Sequence, residues 1–340
     1  MKDDNRLDDK QEQYTDFLQQ AVQDFNGEHT LSKDEQQYII RKGRNTATKK
    51  NIMVSLAILL LIVPIMTLGS YMYYAMGGKA NHLIDVATST LYVTEPNISL
   101  EPMRIEEDIG FFSMNILFDV FKKIGRENYK IGHYDIDFSF DKPAFPVRNV
   151  VLDRPLPDIP SKETETLFHP EAIVSSALHS QSAILNGLPD GTVAEVYVSL
   201  KETVSQKELE KLFGPEIEVR WVAVDTGMEG KQVDAEGIPI TALGYPAQTD
   251  YTTWSPFNGR EQTNEQVFMD MLRLLEKNES VAVKIARAKS LALPERITYI
   301  EDHGVRLYGA VVTGSTVELR KIEENDKVRA IKVGEVKLWN

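Results

Sequence analysis

The chain has 340 residues, 26% of them charged, and a formal net charge of −13 at pH 7. It contains no cysteine, which excludes disulfide bonds and thiolate metal sites. Residues 1–79 carry 10 basic and 10 acidic residues, so the 28 basic and 41 acidic residues of the remainder account for the whole excess. An acidic surface of this kind argues against direct binding of nucleic acid.

An amphipathic helix is predicted close to the N-terminus. Five apolar residues recur there with helical spacing and form one stripe: Phe17, Leu18, Ala21, Val22 and Phe25. Asn26-Gly27 is expected to end this helix. An arm of about 40 residues cannot bury two phenylalanines in a core of its own, so the stripe predicts a partner, and the surrounding acidic charge favours a basic partner surface. Alternatively, the stripe packs on the following helix as a stalk.

A second helix is predicted to begin at Ser32. Ser32 and Glu35 match a capping box, and the helix continues through residues 38–40 toward an apolar run. A group of basic residues precedes that run: Arg41, Lys42, Arg44, Lys49 and Lys50. Only Lys79 flanks its other end. By the positive-inside rule, this asymmetry places the N-terminus in the cytoplasm and everything after about residue 79 outside the membrane.

Residues 51–78 form the apolar run, which contains no charged residue. A helix needs roughly 20 residues to cross a hydrocarbon core of about 30 Å. Pro64 and Gly69 are tolerated in membrane helices, and three tyrosines between residues 71 and 74 suit the headgroup layer. A cleaved signal peptide would begin with a short charged segment and have a shorter apolar core. The run therefore predicts a single transmembrane helix that contacts the lipid bilayer.

The chain from 79 to 170 is predicted to be a β-rich and proline-rich connecting region. TLYVT (90–94) is strand-like, whereas 111–123 is ambiguous between helix and strand. Residues 134–140 alternate as in a half-buried strand.

Glycines and prolines suggest how this region is divided. Gly125 and Gly132 are expected to bracket a hairpin that includes the strand at 134–140. Prolines are concentrated between residues 141 and 170, and we expect a domain boundary at the end of that stretch.

Residues 171–340 repeat one order of elements, in which a strand is followed by a capped helix and another strand. The first copy comprises strand 193–200, the pair Ser205 and Glu208, and strand 216–224, and the second comprises strand 306–313, the pair Ser315 and Glu318, and strand 328–333. Helices are also predicted at 171–186 and 263–277. This order predicts an α/β (α+β) fold with helices on one face of a mixed sheet.

No catalytic or metal site is predicted. Asp225-Thr226-Gly227 follows an apolar strand, as in the loops of aspartic proteases, but the carboxylate dyad needs two such loops and the chain has one. A strand that ends in a glycine turn explains these residues more simply. His169, Glu171 and His179 match no metal-ligand spacing, and the sequence has no GxSxG, P-loop or GxGxxG motif. We expect neither enzymatic activity nor a cofactor.

Several stretches together resemble a known family. LPDGTVAEVYVSL (188–200), WVAVDTG (221–227), GYP (244–246), LYGAVVTG (307–314) and VRAIKVGEVKLW (328–339) resemble the C-terminal domain of the sigma factor regulator family. The basic flank and the span resemble the N-terminal part of the same family. These are bacterial single-span anti-sigma factors, and the chain resembles the sigma-M regulator type among them.

The resemblance implies a division of labour along the chain. The cytoplasmic arm, residues 1–50, would sequester an extracytoplasmic-function sigma factor through the apolar stripe. The extracytoplasmic sensor domain, residues 171–340, would respond to the state of the bacterial cell envelope, with a second membrane protein as an optional partner. Many anti-sigma domains carry a His/Cys zinc motif, which this arm, with His29 and no cysteine, lacks. The alternative is a non-catalytic envelope protein whose outer domain binds a wall polymer or a membrane partner.

Overall fold

The computed structural model describes residues 14–23, 32–101, 106–151, 167–172, 181–231, 233, 237, 239–248 and 255–339. The first 13 residues, Asn26-Gly27 and residues 152–166 of the proline-rich stretch therefore lie outside the described residues. The chain divides into two compact units, residues 1–65 (unit 1) and 66–340 (unit 2).

Unit 1 is helical in its described parts. Residues 14–23 form α1, and α2 (Lys33–Tyr71) begins in this unit and contains Pro64. The capping box predicted at Ser32 is confirmed, because the Glu35 amide donates to Ser32 Oγ (3.2 Å) and the Ser32 amide donates to the Glu35 carboxylate (3.0 Å). Every described residue of unit 1 is exposed, so its helices have no core of their own.

Unit 2 opens with the end of α2, a π-helical turn (Met72–Met76) and α3 (Lys79–Thr94). The strand-like reading of TLYVT (90–94) is wrong, because these residues form the last turns of α3. Leu91, Tyr92 and Val93 are all buried there. Burial on every side of the helix outweighs the modest β-propensity of branched and aromatic side chains.

The first sheet contains six described strands. They are β1 (Ser99–Leu100), β2 (Glu106–Ile109), β3 (Ser113–Ile124), β4 (Glu127–Ser139), β5 (Lys142–Pro143) and β6 (Val147–Val150). The ambiguous segment 111–123 is largely strand β3, and β3 and β4 pair as an antiparallel hairpin. Gly125, with φ +65°, lies in the hairpin turn as expected. Gly132 does not bound the hairpin but lies inside β4, where a Cβ would collide with the Asn149 carbonyl.

The second sheet has the strand order β11-β7-β10-β8-β9 among the described residues. Its strands are β7 (Thr192–Val204), β8 (Glu218–Val224), β9 (Leu243–Pro246), β10 (Leu307–Ser315) and β11 (Val328–Leu338). All neighbouring pairs are antiparallel, so the predicted mixed sheet is wrong and the fold is α+β. The reason is that the two predicted strand–helix–strand units interleave: β10 lies between β7 and β8, and β7 lies between β10 and β11.

Six further helices complete unit 2. They are α4 (Ser182–Gly187), α5 (Gln206–Phe213), α6 (Asn264–Glu276), α7 (Glu279–Ile285), α8 (Leu293–His303) and α9 (Thr316–Arg320). The helices predicted after Ser205, Ser315 and residue 263 are confirmed as α5, α9 and α6. The helix predicted at 171–186 is wrong at its start, since Glu171 lies in a turn; 173–180 are outside the described residues.

One hydrophobic core joins both sheets and the helices of unit 2. It contains side chains from before and after residue 170, such as Leu91, Phe118, Val198 and Leu272. Between the sheets, Lys122 of β3 and Glu195 of β7 are both fully buried and form an ion pair of 2.8 Å. The Asn97 amide group and the Tyr197 hydroxyl also donate to the Glu195 carboxylate, so this buried charge is well satisfied.

Candidate functional site

The apolar stripe lies on the surface of α1. The exposed fractions of Phe17, Leu18 and Val22 are 69%, 46% and 56%, and Ala21 is exposed as well. Phe25, the fifth predicted member, lies outside the described residues. Because a protein that leaves large apolar side chains in water gains free energy by covering them, the four described members are suited to a docked partner.

The basic group lies on α2 between the capping box and the apolar run. Its members Arg41, Lys42, Arg44, Lys49 and Lys50 are all exposed. Lys42 also lies 5.7 Å from the centre of the Tyr38 ring, a distance that permits a cation–π contact. The group sits on an unbroken helix, so its distance along the axis from the apolar residues is fixed at about 1.5 Å per residue.

The apolar run itself has the surface of a membrane span. Every residue from Ser32 to Leu68 is exposed, including the predominantly apolar residues from Ile52 onward. The helix that contains it is long and apolar enough to cross a membrane. Exposed apolar side chains around the whole circumference of a helix are stable in hydrocarbon and unstable in water.

The end of the run is bound to two turns of the first sheet, and this contact was not predicted. Ser70 and Tyr74 are both buried. Ser70 Oγ accepts a hydrogen bond from the Phe112 amide (2.6 Å), and the Tyr74 hydroxyl donates to the carbonyl oxygens of Phe112 (3.1 Å) and Phe140 (2.9 Å). The Phe112 and Phe140 rings stack with centroids 5.0 Å apart. We call these four residues the joint.

The backbone of the joint is unusual. Phe112 has φ +48° and Phe140 has φ +56°, so both adopt the left-handed conformation without being glycine. In the sequence, the only hints were a serine and a tyrosine inside an apolar run and two phenylalanines beside turn residues. Such hints cannot pair residues that are 42 and 66 positions apart.

The Asp225 loop is built as a structural turn. The Asp225 carboxylate accepts from the Gly227 amide (3.0 Å) and the Tyr299 hydroxyl (3.2 Å), and His169 Nε2 lies 3.5 Å away. Burial raises the pKa of Asp225, but these polar contacts lower it by more than burial raises it. The pKa of Asp225 is therefore below its ordinary value. The nearby Glu229 carboxylate is bound to Thr226 and to the buried Arg296 (2.9 Å).

This arrangement does not resemble a proton-sharing dyad. Glu229, the second carboxylate, is neutralised by Arg296 rather than directed at Asp225. Among the described residues, no group of three or more acidic or histidine side chains could hold a metal ion. His179, which was considered with His169 and Glu171, lies outside the described residues.

Comparisons with known proteins place most of the chain. Residues 37–129 match the model of the sigma factor regulator N-terminal domain, and residues 185–335 match that of the sigma factor regulator C-terminal domain. Over 338 residues, the chain is 30% identical to the protein named "Probable anti-sigma-M factor YhdL" of Bacillus subtilis (strain 168), covering 98% of this chain and 91% of that protein. No solved structure matches. The N-terminal match includes the basic group and three residues of the joint, Ser70, Tyr74 and Phe112, but it begins after α1 and ends before Phe140.

Proposed function

The chain belongs to the sigma factor regulator family, and from this premise we propose that it is a membrane-bound anti-sigma factor. It sequesters an extracytoplasmic-function sigma factor at the bacterial cell membrane and responds to envelope stress. The similarity to a protein named as an anti-sigma-M factor supports this proposal. Sigma factor regulators are binding proteins, so the prediction that the chain is not an enzyme is confirmed.

The observation that carries the proposal is the exposed stripe on α1. Apolar side chains that a chain leaves in water near its own terminus are typical of a segment that docks into a groove on another protein. Phe17, Leu18, Ala21, Val22 and Phe25 are the residues that we propose for this contact. The acidic charge of residues 1–40 suits a basic surface on the sigma factor.

The proposed topology follows from the basic group. Residues 1–50 are the cytoplasmic arm, 51–78 cross the bilayer, and the region 79–170 and the sensor region 171–340 are extracytoplasmic. Five basic residues immediately flank the start of the span and one flanks its end, which favours a cytoplasmic N-terminus. Protease added to intact cells should digest the chain beyond about residue 80 and leave an N-terminal tag intact. Loss of the tag would contradict this orientation.

The stripe is tested by replacing Phe17 and Phe25 with alanine in the full chain. Burial of one phenylalanine contributes about 1.5–3 kcal/mol, so the double variant should bind the sigma factor at least about a hundredfold more weakly. Transcription from the sigma-dependent promoter should rise, as measured with a reporter while immunoblots show an unchanged protein level.

Two control variants define the outcome. Gln19 and Gln23 lie on the other face of α1, so changing both to alanine should leave the reporter off. Replacing the acidic residues between 3 and 9 by serine should also change little, since exposed charges contribute roughly 0–1 kcal/mol each. A reporter that stays off in the Phe17/Phe25 variant would identify the stripe as a stalk contact. The sigma site would then be sought on α2, after Ser32.

A further inference from the structure

The joint fixes two turns of unit 2 at one level of α2. Its hydrogen bonds link the last turn of α2 and the π-helical turn to the backbone at Phe112 and Phe140. The contact is close, because the Phe112 ring lies 3.6 Å from the position that a Cβ on Gly69 would occupy. The two turns therefore cannot move along the helix axis without breaking the joint.

Large aromatic side chains remain exposed around this joint. The exposed fractions of Phe111, Phe140 and Tyr71 are 55%, 46% and 55%, and we call these three residues the aromatic collar. Each ring that leaves water contributes about 1.5–3 kcal/mol. Elsewhere in unit 2, rings such as Phe118 and Tyr92 are buried, whereas Phe145 and Trp339 are exposed. The collar rings differ from these two because each belongs to the joint or adjoins one of its residues, so one partner could cover all three.

The level of the joint identifies that partner. A hydrocarbon core of about 30 Å takes up roughly 20 helical residues, and a span that begins near Ile52 leaves this core close to Tyr71. The next layer is that of the lipid headgroups, where aromatic rings are most favourable. Asp141 and Lys142, which follow Phe140, are both exposed and carry opposite charges, as suits a polar layer.

We propose that unit 2 is seated in the headgroup layer of the membrane by the aromatic collar, with the joint holding it at that depth. The inference rests on the proposed function only in requiring that α2 spans a bilayer. The lipid surface is a second site of interaction for this chain, in addition to the span itself. Continuity between the collar and the apolar helix is the reason to choose lipid as the occupant over a second protein.

The test exploits the absence of cysteine, which allows one fluorophore to be attached at one introduced thiol. The full chain is reconstituted in vesicles of phosphatidylcholine and phosphatidylglycerol, with an environment-sensitive probe at Phe111→Cys. The control is Arg126→Cys, an exposed position in the same hairpin at the opposite end of β3, about 36 Å along the strand at roughly 3.3 Å per residue. A third variant, Leu60→Cys, places the probe in the apolar run.

The probe at residue 111 should emit at shorter wavelength than the probe at 126. It should be quenched by lipids brominated near the headgroup and shielded from iodide, whereas the probe at 126 should show the reverse. Equal iodide quenching of the probes at residues 111 and 126 would overturn the proposal that the aromatic collar lies in the headgroup layer. Shielding at 111 without lipid quenching also overturns it, because a protein partner then covers the collar. If the probe at residue 60 is not quenched by lipids brominated deep in the acyl chains, both the proposed membrane span and the proposed position of the collar are overturned.

Discussion

The two units treat the same kinds of side chain in opposite ways. In unit 1, leucines such as Leu59 and aromatic residues such as Phe17 are exposed, while in unit 2 Leu272 and Phe118 are completely buried. The type of an apolar residue therefore does not determine whether its side chain is buried. Burial depends on whether other parts of the chain pack against it. Unit 2 covers most of its own apolar surface, whereas unit 1, in our proposal, depends on lipid and on a sigma factor. Matched substitutions in the two units can break or sharpen this comparison.

The largest effect on stability is expected when one partner of the buried ion pair is removed. Lys122→Ala leaves Glu195 buried and unpaired, which should lower the free energy of unfolding of unit 2 by about 3–5 kcal/mol. Lys42→Ala, on the exposed surface of α2, should leave it unchanged. Urea unfolding of the full chain in detergent, followed through the buried Trp221, measures both. A Lys122→Ala variant as stable as the wild type would mean that the pair is dispensable to the packing of the two sheets.

Leucine comes next. Leu272→Ala opens a cavity in the core and should cost about 2–5 kcal/mol. Leu59→Ala removes the same atoms from an exposed helix surface and should not change the unfolding of unit 2. Equal losses in the two variants, measured by the same urea titration, would show that Leu59 is covered by the chain itself.

A smaller and pH-dependent effect is expected at Asp225. Its folded pKa lies below the ordinary value of 3.8, so its contribution to stability is present above that pH and is lost as the pH falls through the folded pKa. Asp225→Asn should cost about 1.5–3 kcal/mol at pH 7, the range for hydrogen bonds to a charged group. The gap from wild type should narrow below pH 3.8, as urea titrations at several pH values would show.

The same variant addresses function. Asp225→Asn should still regulate the sigma-dependent reporter, because its contacts to Gly227 and Tyr299 are those of a structural turn. A variant that folds but no longer regulates would revive the idea of a protease carboxylate. Asp34→Asn, on the exposed start of α2, is the control in unit 1 and should leave the unfolding of unit 2 unchanged.

The smallest effect concerns a device that both units share. Ser32 and Ser205 each cap a helix reciprocally with a glutamate three residues later. Ser205→Ala should lower the free energy of unfolding of unit 2 by about 1 kcal/mol, a typical value for a lost cap. Ser32→Ala should leave that value unchanged and instead reduce the helicity of α2, measurable by circular dichroism. A drop in unit 2 stability from Ser32→Ala would refute the division into two independent units.

What the sequence could predict was local. Patterns of residues three or four positions apart predicted the helix caps at Ser32, Ser205 and Ser315 and the helix α6. The structure confirms all four. The interleaving of strands, the ion pair of Lys122 with Glu195 and the joint connect residues tens of positions apart. No periodicity encodes such pairings. The prediction of a strand-like segment at residues 90–94 was wrong for the same reason, because burial against distant elements determines that these residues are helical.

The positive φ angles of the joint have an energetic consequence. A left-handed conformation costs a residue with a Cβ roughly 1–2 kcal/mol, and Phe112 and Phe140 both adopt it. The hydrogen bonds made by the Ser70 and Tyr74 hydroxyls return about 0.5–1.5 kcal/mol each. These bonds, together with the stacked rings, therefore hold Phe112 and Phe140 in a conformation that costs each of them free energy. Without the Ser70 or Tyr74 hydroxyl, part of that backbone cost would lose its compensation, so the geometry of the two turns depends on side chains of the helix.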